Sequence, residues 1–246
     1  MAKIKIAAVS YLNTVPFIYG IEYSGNMQAD LMLAPPSECA RLFTESRAEI
    51  ALVPVAAIPT ICDAQIITSF CIGTEKSVRT VMIMSTVPSL KIKRLWGDSH
   101  SLTSVMLTRI LCSKYWKIAP EFIKMADYGV MDRAEDGDAF LLIGDKVFGH
   151  EGRFRYNYDL ADEWRGMTGL PFVFAVWIAR KGISPEKIDA LESALMFGVE
   201  HIYEALVEYS HQEKDYAYHY LTENIDFLFD AQKRKAFEKF LELGRK

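Results

Sequence analysis

Cysteine is scarce in this 246-residue sequence, and the four present, Cys39, Cys62, Cys71 and Cys112, include no C-x-x-C pair. Neither a zinc site nor a disulfide framework is signalled, and thiols in apolar surroundings are expected to be reduced and buried. Long hydrophobic runs are missing too. The longest, Pro171 to Ala179, falls far short of the roughly 20 residues a membrane helix needs. The apolar stretch after Lys3 and Lys5 ends by Val9, with no small-residue cleavage site behind a longer core. A cytosolic protein with no membrane partner is expected. Positive charge is not in excess either: the formal net charge of −4 leaves no broad field for nucleic acid. An anionic ligand must be held by local donors.

The motifs of several large enzyme classes are likewise absent. There is no G-x-G-x-x-G, no Walker loop, no G-x-S-x-G elbow and no H-E-x-x-H. His100, His150, His201, His211 and His219 fall at spacings that match no metal-ligand set, so capping or surface roles are expected for them. No metal and no organic cofactor is expected.

What is present is an ordinary globular composition, 50% hydrophobic and 24% charged. The length allows one large domain or two lobes of about 100–150 residues each. The organising stretch is VSYLNTVPF, Val9 to Phe17, which follows the apolar run Ile4 to Val9. It places Ser10, Tyr11, Asn13 and Thr14 at the end of a buried strand, and ligands of open α/β sheets bind beyond strand carboxyl ends.

Taken in order, strands alternate with helices. A helix over Thr14 to Gly20 carries Pro16 in its first turn and stops at Gly20. Asp30 to Ala34 is a strand, and Pro35-Pro36-Ser37 opens a helix over Glu38 to Arg47. Glu49 to Val53 is a third strand, ended by Pro54, with Pro54 to Pro59 as a turn. Ile66 to Ile72 and Ser77 to Ser85 are further strands, the second long enough to cross between lobes.

A fresh α/β pattern then begins: strand Ile92 to Trp96, helix Leu102 to Tyr115, strands Phe122 to Met125, Ala139 to Ile143 and Tyr156 to Leu160, and helix Ala161 to Met167. Ser99, Ser101 and Thr103 crowd the first turn of the Leu102 helix. Unsatisfied N–H groups there, beside hydroxyls, suit a carboxylate, although a helix start wants the same side chains as caps. Phe172 to Ala179 is a strongly apolar strand that carries the chain back. Ser184-Pro185 opens a helical tail with helices over Pro185 to Ser210, Gln212 to Thr222 and Ala231 to Leu243.

The expected fold is an α/β two-lobed clamshell with a cleft at the hinge. Lobe 1 comprises residues 1–84 and 175–246, lobe 2 the inserted residues 85–174. Strand-end loops at Asn13, Pro54, Ser99 and Asp145 converge on the cleft. The aromatic stripes Phe172-Phe174 and Tyr216-Tyr218-Tyr220 are expected chiefly to pack, with Phe172 also placed to face the cleft.

VSYLNTVPF, ALVPVAA at Ala51 to Ala57, WGDSHSLTSV at Trp96 to Val105, FLLIGDKVF at Phe140 to Phe148 and DLADEWRGMTGLPFVFAVW at Asp159 to Trp177 resemble the chorismate dehydratase family of the futalosine route to menaquinone. The resemblance implies a type II periplasmic-binding-protein-like fold used as an intracellular enzyme. The implied reaction is loss of water from chorismate to give 3-[(1-carboxyvinyl)oxy]benzoate.

The family pattern makes Asn13 a catalytic candidate. It also implies a cleft hydroxyl on the hinge strand, usually serine. Matching Ser85 to the family's following serine puts Thr80 there, whereas a looser alignment chooses Ser77. Substrate-contact candidates are Ser10, Tyr11, Pro54, Val55, Ser77, Ser101, Thr103, Ser104, Asp145, Gly169 and Phe172. Asp98 and Asp145 are conceivable bases, but acids after strands more often cap or brace; the preferred base is the substrate's own enolpyruvyl carboxylate. Arg79, Lys146 or neither pairs with a substrate carboxylate. Other readings are the sister enzyme dihydroxynaphthoate synthase, a non-catalytic solute-binding protein and a ligand-sensing regulatory domain.

Overall fold

The computed structural model describes residues 3–97, 101–150, 152–210 and 213–245; the expectations for Asp98, Ser99, His100 and His211 lie outside them. Strands β1 (Ile4–Val9), β2 (Ala29–Ala34), β3 (Ile50–Pro54) and β4 (Ala64–Thr74) build most of a first sheet. The chain then crosses to form a second sheet from β5 (Val81–Ser85), β6 (Arg94–Gly97), β7 (Glu121–Lys124), β8 (Asp138–Ile143) and β9 (Tyr156–Asp159). It returns through β10 (Phe172–Arg180), and β11 (Asp226–Leu228) closes the first sheet's edge. The strand orders are β11-β4-β10-β3-β1-β2 and β7-β6-β8-β5-β9. This is the expected two-lobed α/β architecture.

Hydrophobic patterning explains the strand positions. β3 and β8 are buried at every residue, and both are interior strands covered on both faces, where continuous apolar runs belong. β1 pairs in parallel with β2 and β3, so their carboxyl ends open on one edge. β10 runs antiparallel to β3 and β4, and its start therefore lies at that same edge, with Ala175 opposite Pro54.

Eight α-helices cover the sheets among the described residues: α1 (Val15–Tyr23), α2 (Pro36–Thr44), α3 (Leu102–Ile110), α4 (Leu160–Thr168), α5 (Pro185–Glu200), α6 (Ile202–Tyr209), α7 (Lys214–His219) and α8 (Ala231–Gly244). Helix α2 packs on β1 and β3, α5 on β4, and α8 on β10. In the first-lobe core the Phe17 ring meets Phe70, Trp177 and Phe227 edge-on at 6.0, 5.8 and 5.2 Å, a geometry that aromatic quadrupoles favour.

Four sequence expectations need correction. The strand expected over Ser77 to Ser85 starts only at Val81, because Arg79 sits in the left-handed region at φ 61° and breaks it. Val81–Ser85 then pairs with β8 and β9, so a boundary after residue 84 puts β5 on the wrong side, and β10 likewise re-enters the first sheet at Phe172 rather than at 175. The helix expected over Pro185 to Ser210 is two helices, broken where His201 leaves helical geometry (φ −122°, ψ 41°) and binds the Phe197 carbonyl through Nδ1 at 2.8 Å. Strand β11 was not foreseen at all, since three residues are too few to show a period.

Gly20 does not stop a helix. It lies inside α1, and a Cβ there would fall 1.9 Å from the Ala194 carbonyl oxygen of α5; a Cβ on Gly198 would fall 1.9 Å from the Pro16 oxygen of α1. The two glycines let the helix backbones touch. Gly198→Ala is therefore expected to lower the unfolding free energy by about 1–3 kcal/mol or more, read by urea titration, whereas Gly149→Ala, with open space around it, carries only its backbone cost at φ 87°.

Candidate functional site

The strand ends of both sheets frame a cleft of about 560 Å³ of non-atom space, the open solvent at its mouth included. The first lobe contributes Val9, Tyr11 and Asn13 after β1, Pro36 at the start of α2, Pro54 after β3, Ile72 of β4, and Phe174 and Ala175 of β10. From the crossing segment come Val78, Thr80 and Val81. The second lobe supplies Ser101 to Ser104 at the start of α3, with Ile143 and Gly144 after β8. No charged side chain lines it among the described residues.

Asn13, Thr80, Tyr11, Pro54, Ser101, Thr103 and Ser104 are thus brought together as the sequence placed them. Tyr11 lies against Gly144, whose φ is +60° and whose Cβ would stand 3.1 Å from the ring. Only glycine gives the chain both that conformation and that approach. Thr14 Oγ1 donates to Asn13 Oδ1 at 3.3 Å, which leaves the amide NH2 as the group free to donate.

The choice between Thr80 and Ser77 is made by Asp159. Its Oδ2 accepts the Ser77 hydroxyl and the Arg79 N–H, both at 2.6 Å, while its Oδ1 caps α4 through the N–H groups of Ala161 and Asp162 at 2.9 and 3.3 Å. Ser77 is therefore turned away, and Thr80, 1% exposed, faces the cleft. Its Oγ1 lies 2.8 Å from the Tyr220 hydroxyl.

The other candidates lie elsewhere. Phe172 is a core residue packed edge-on against Trp164 and Phe240 at 5.4 and 5.3 Å. A bulge between Val173 and Ala175 re-aims the chain, and Phe174 takes the cleft position instead. Val55 is wholly buried at the start of the 3-10 helix Val55–Thr60. Gly169 is the left-handed C-cap of α4. Ser10 and Asp145 line a neighbouring groove with Leu12, Leu33 and Tyr209, separated from the cleft by Tyr11. Arg79 points to a hollow with Met82, Met84 and Asn157, and Lys146 Nζ stands 5.2 Å over the Tyr128 ring; neither cation lines the cleft.

The site's donors are neutral. α3 is nine residues long, and its N-cap Ser101, 5% exposed, makes no side-chain capping bond, so its hydroxyl is not spent on the helix. Thr103 instead ties the lobes together: its Oγ1 donates to the Phe174 carbonyl at 3.2 Å and accepts the Ala56 N–H at 3.4 Å. First-turn N–H groups of α3, two serine hydroxyls and the Asn13 amide form a donor set suited to a carboxylate. No cluster of three or more metal-ligating side chains occurs among the described residues. Cys39 and Cys112 are buried, and burial pushes both thiols up to about 12.

Two lobes, with strand ends meeting at a hinge and a cleft between them, define a periplasmic-binding-protein-like molecule. Solved structures agree on the fold. A protein from Archaeoglobus fulgidus superposes with a TM-score of 0.78 at 16% identity, over 99% of this chain and 97% of that one. A Candida albicans gene product described as having the generic periplasmic binding protein fold gives 0.71 at 13%, over 100% and 90%. The alkanesulfonate-binding protein SsuA of Xanthomonas axonopodis pv. citri, bound to MOPS, gives 0.65 at 13%, over 99% and 92%. The family pattern described as menaquinone biosynthesis matches residues 4–246, so the chain belongs to the menaquinone biosynthesis family.

Burial pushes the Asp145 carboxyl up, opposed by the Leu12 N–H at 3.4 Å. A carboxyl whose folded pKa is raised costs stability as pH climbs from its unfolded value through its folded one. Asp145→Asn keeps the acceptor and removes the charge. It is expected to raise Tm at pH 7 and to give no gain below about pH 4, measured by thermal melts across that range.

Proposed function

We propose that this chain is a chorismate dehydratase, converting chorismate to 3-[(1-carboxyvinyl)oxy]benzoate and water in the cytoplasm, on the futalosine route to menaquinone. The observation that carries the reading is the placement of Asn13 and Thr80 in one cleft with the start of α3, in a chain of the menaquinone biosynthesis family.

The chemistry fits that donor set. The C3–H of chorismate is vinylogous to the ring carboxylate, so its removal spreads charge through the diene to that group. The C3–H electron pair forms the new ring double bond as the C4–O bond breaks, and aromatisation drives the step. The substrate's enolpyruvyl carboxylate takes the C3 proton and returns it to the departing hydroxide, which balances as one water. The protein's part is orientation and fixed dipoles: α3 N–H groups and the Ser101 and Ser104 hydroxyls at the ring carboxylate, Thr80 at the leaving oxygen, and Asn13 at the hydroxyl or the enolpyruvyl group.

Purified protein incubated with chorismate and a chelator is expected to yield a product lighter by one water in mass spectrometry. Asn13→Ala and Thr80→Ala should each lower kcat by about 10²–10³-fold, while Asp145→Asn should leave most activity. Chorismate that stays intact with folded protein sinks the reading, and loss of activity in Asp145→Asn alone moves the base to that carboxylate.

A further inference from the structure

Tyr220 is absent from every candidate set above, yet it touches the reacting wall of the cleft. It opens a π turn, Tyr220–Asn224, directly after α7. The residue is 3% exposed, and its ring is held edge-on by Phe148 of the second lobe at 5.9 Å and 84°. Its hydroxyl reaches 140 residues back along the chain to Thr80 Oγ1 at 2.8 Å.

The direction of that bond follows from counting hydrogens. Burial pushes the phenol well up, against the opposing pull of the Thr80 hydroxyl and the Asn13 side chain on its oxygen, so the phenol stays protonated and has one hydrogen to give. The Thr80 hydroxyl has a single hydrogen, which bonds the Val78 carbonyl, so its oxygen is left as the acceptor for Tyr220. Tyr220 then gives its hydrogen to Thr80 Oγ1. The Thr80 hydrogen is left with the Val78 carbonyl, distant at 3.4 Å, or with a ligand oxygen in the cleft.

We propose that Tyr220 is a positioning residue that holds the Thr80 hydroxyl as a donor aimed at the substrate's leaving oxygen, linking Asn13 and Thr80 into one polarised chain. The inference rests on the dehydratase reading. It explains how a threonine serves on the hinge: its β-branch restricts χ1, and Tyr220 selects which acceptor the remaining hydrogen finds. It also gives the π turn a role, since such turns gather at functional sites.

The test is a double-variant cycle with chorismate. Tyr220→Phe keeps the ring against Phe148 and removes the oxygen. It is expected to lower kcat about tenfold with KM within about twofold, and to cost nothing further in a Thr80→Ala background. An unchanged kcat, or the same loss in both backgrounds, overturns the inference while the dehydratase reading stands. Wild-type protein that leaves chorismate intact overturns both. Should Tyr220→Phe fail to fold, 3-fluorotyrosine at 220 replaces it: the fluorine resonance must move on Thr80→Val, and a resonance that does not move overturns the inference.

Discussion

One buried carboxylate fixes the geometry on which the cleft depends. Asp159 accepts four hydrogen bonds, two from the crossing segment at Ser77 and Arg79 and two from the first turn of α4. The segment between β4 and β5 is short, and no sheet partner holds it. Asp159 binds the Arg79 N–H directly and so supports its left-handed conformation, which costs a non-glycine residue roughly 1 kcal/mol or more. That single turn sends Ser77 to one side and Val78 and Thr80 to the other. Hinge geometry and the orientation of a cleft hydroxyl are therefore the same structural fact.

Among the described residues no charged side chain lines the cleft, and its donors are oriented by the fold. On the dehydratase reading, helix N–H groups and hydroxyls fixed by the fold need no reorganisation as charge moves onto the ring carboxylate. Enclosure strengthens them, since the same dipoles count for more away from water. The Thr103 bridge from α3 to Ala56 and Phe174 joins this donor set to the first lobe. The bulge at Phe174 leaves its carbonyl outside the β10–β4 register, and Thr103 satisfies it.

Much of this was legible in the sequence, and the failures share a cause. β1, β3, β8 and β10 are continuous apolar runs, and Asn13, Pro54 and Ser101 follow directly from the strand and helix ends beside them. Local pattern could not decide between Thr80 and Ser77, because the deciding acceptor, Asp159, is 82 residues from Ser77. Nor could it tell Phe172 from Phe174, since alternation assumes no bulge, and here an extra residue shifts the register. Gly20 read as a helix stop for the same reason. Its partner, Gly198, lies far along the chain, and the requirement is a contact between helices rather than a local conformation.

The C-terminal helices lie outside the cleft lining and yet bind the hinge. Lys233 of α8 is fully buried, and burial lowers its pKa, but Asp226 at 2.7 Å, Glu75 at 3.2 Å and Asp230 at 3.5 Å outweigh that and leave it raised. The ammonium remains charged, and removing one partner of such a buried set costs more than its formation contributes. Its partners are telling: Asp226 begins β11, Asp230 caps α8, and Glu75 starts the crossing segment. Lys233 thus fastens the tail to the hinge, Asn224 adds a bond to the Ser77 carbonyl at 3.0 Å, and between these anchors the chain delivers Tyr220 to Thr80. A tail whose sequence reads as packing comes to brace Thr80 from behind because its anchors bind the hinge itself.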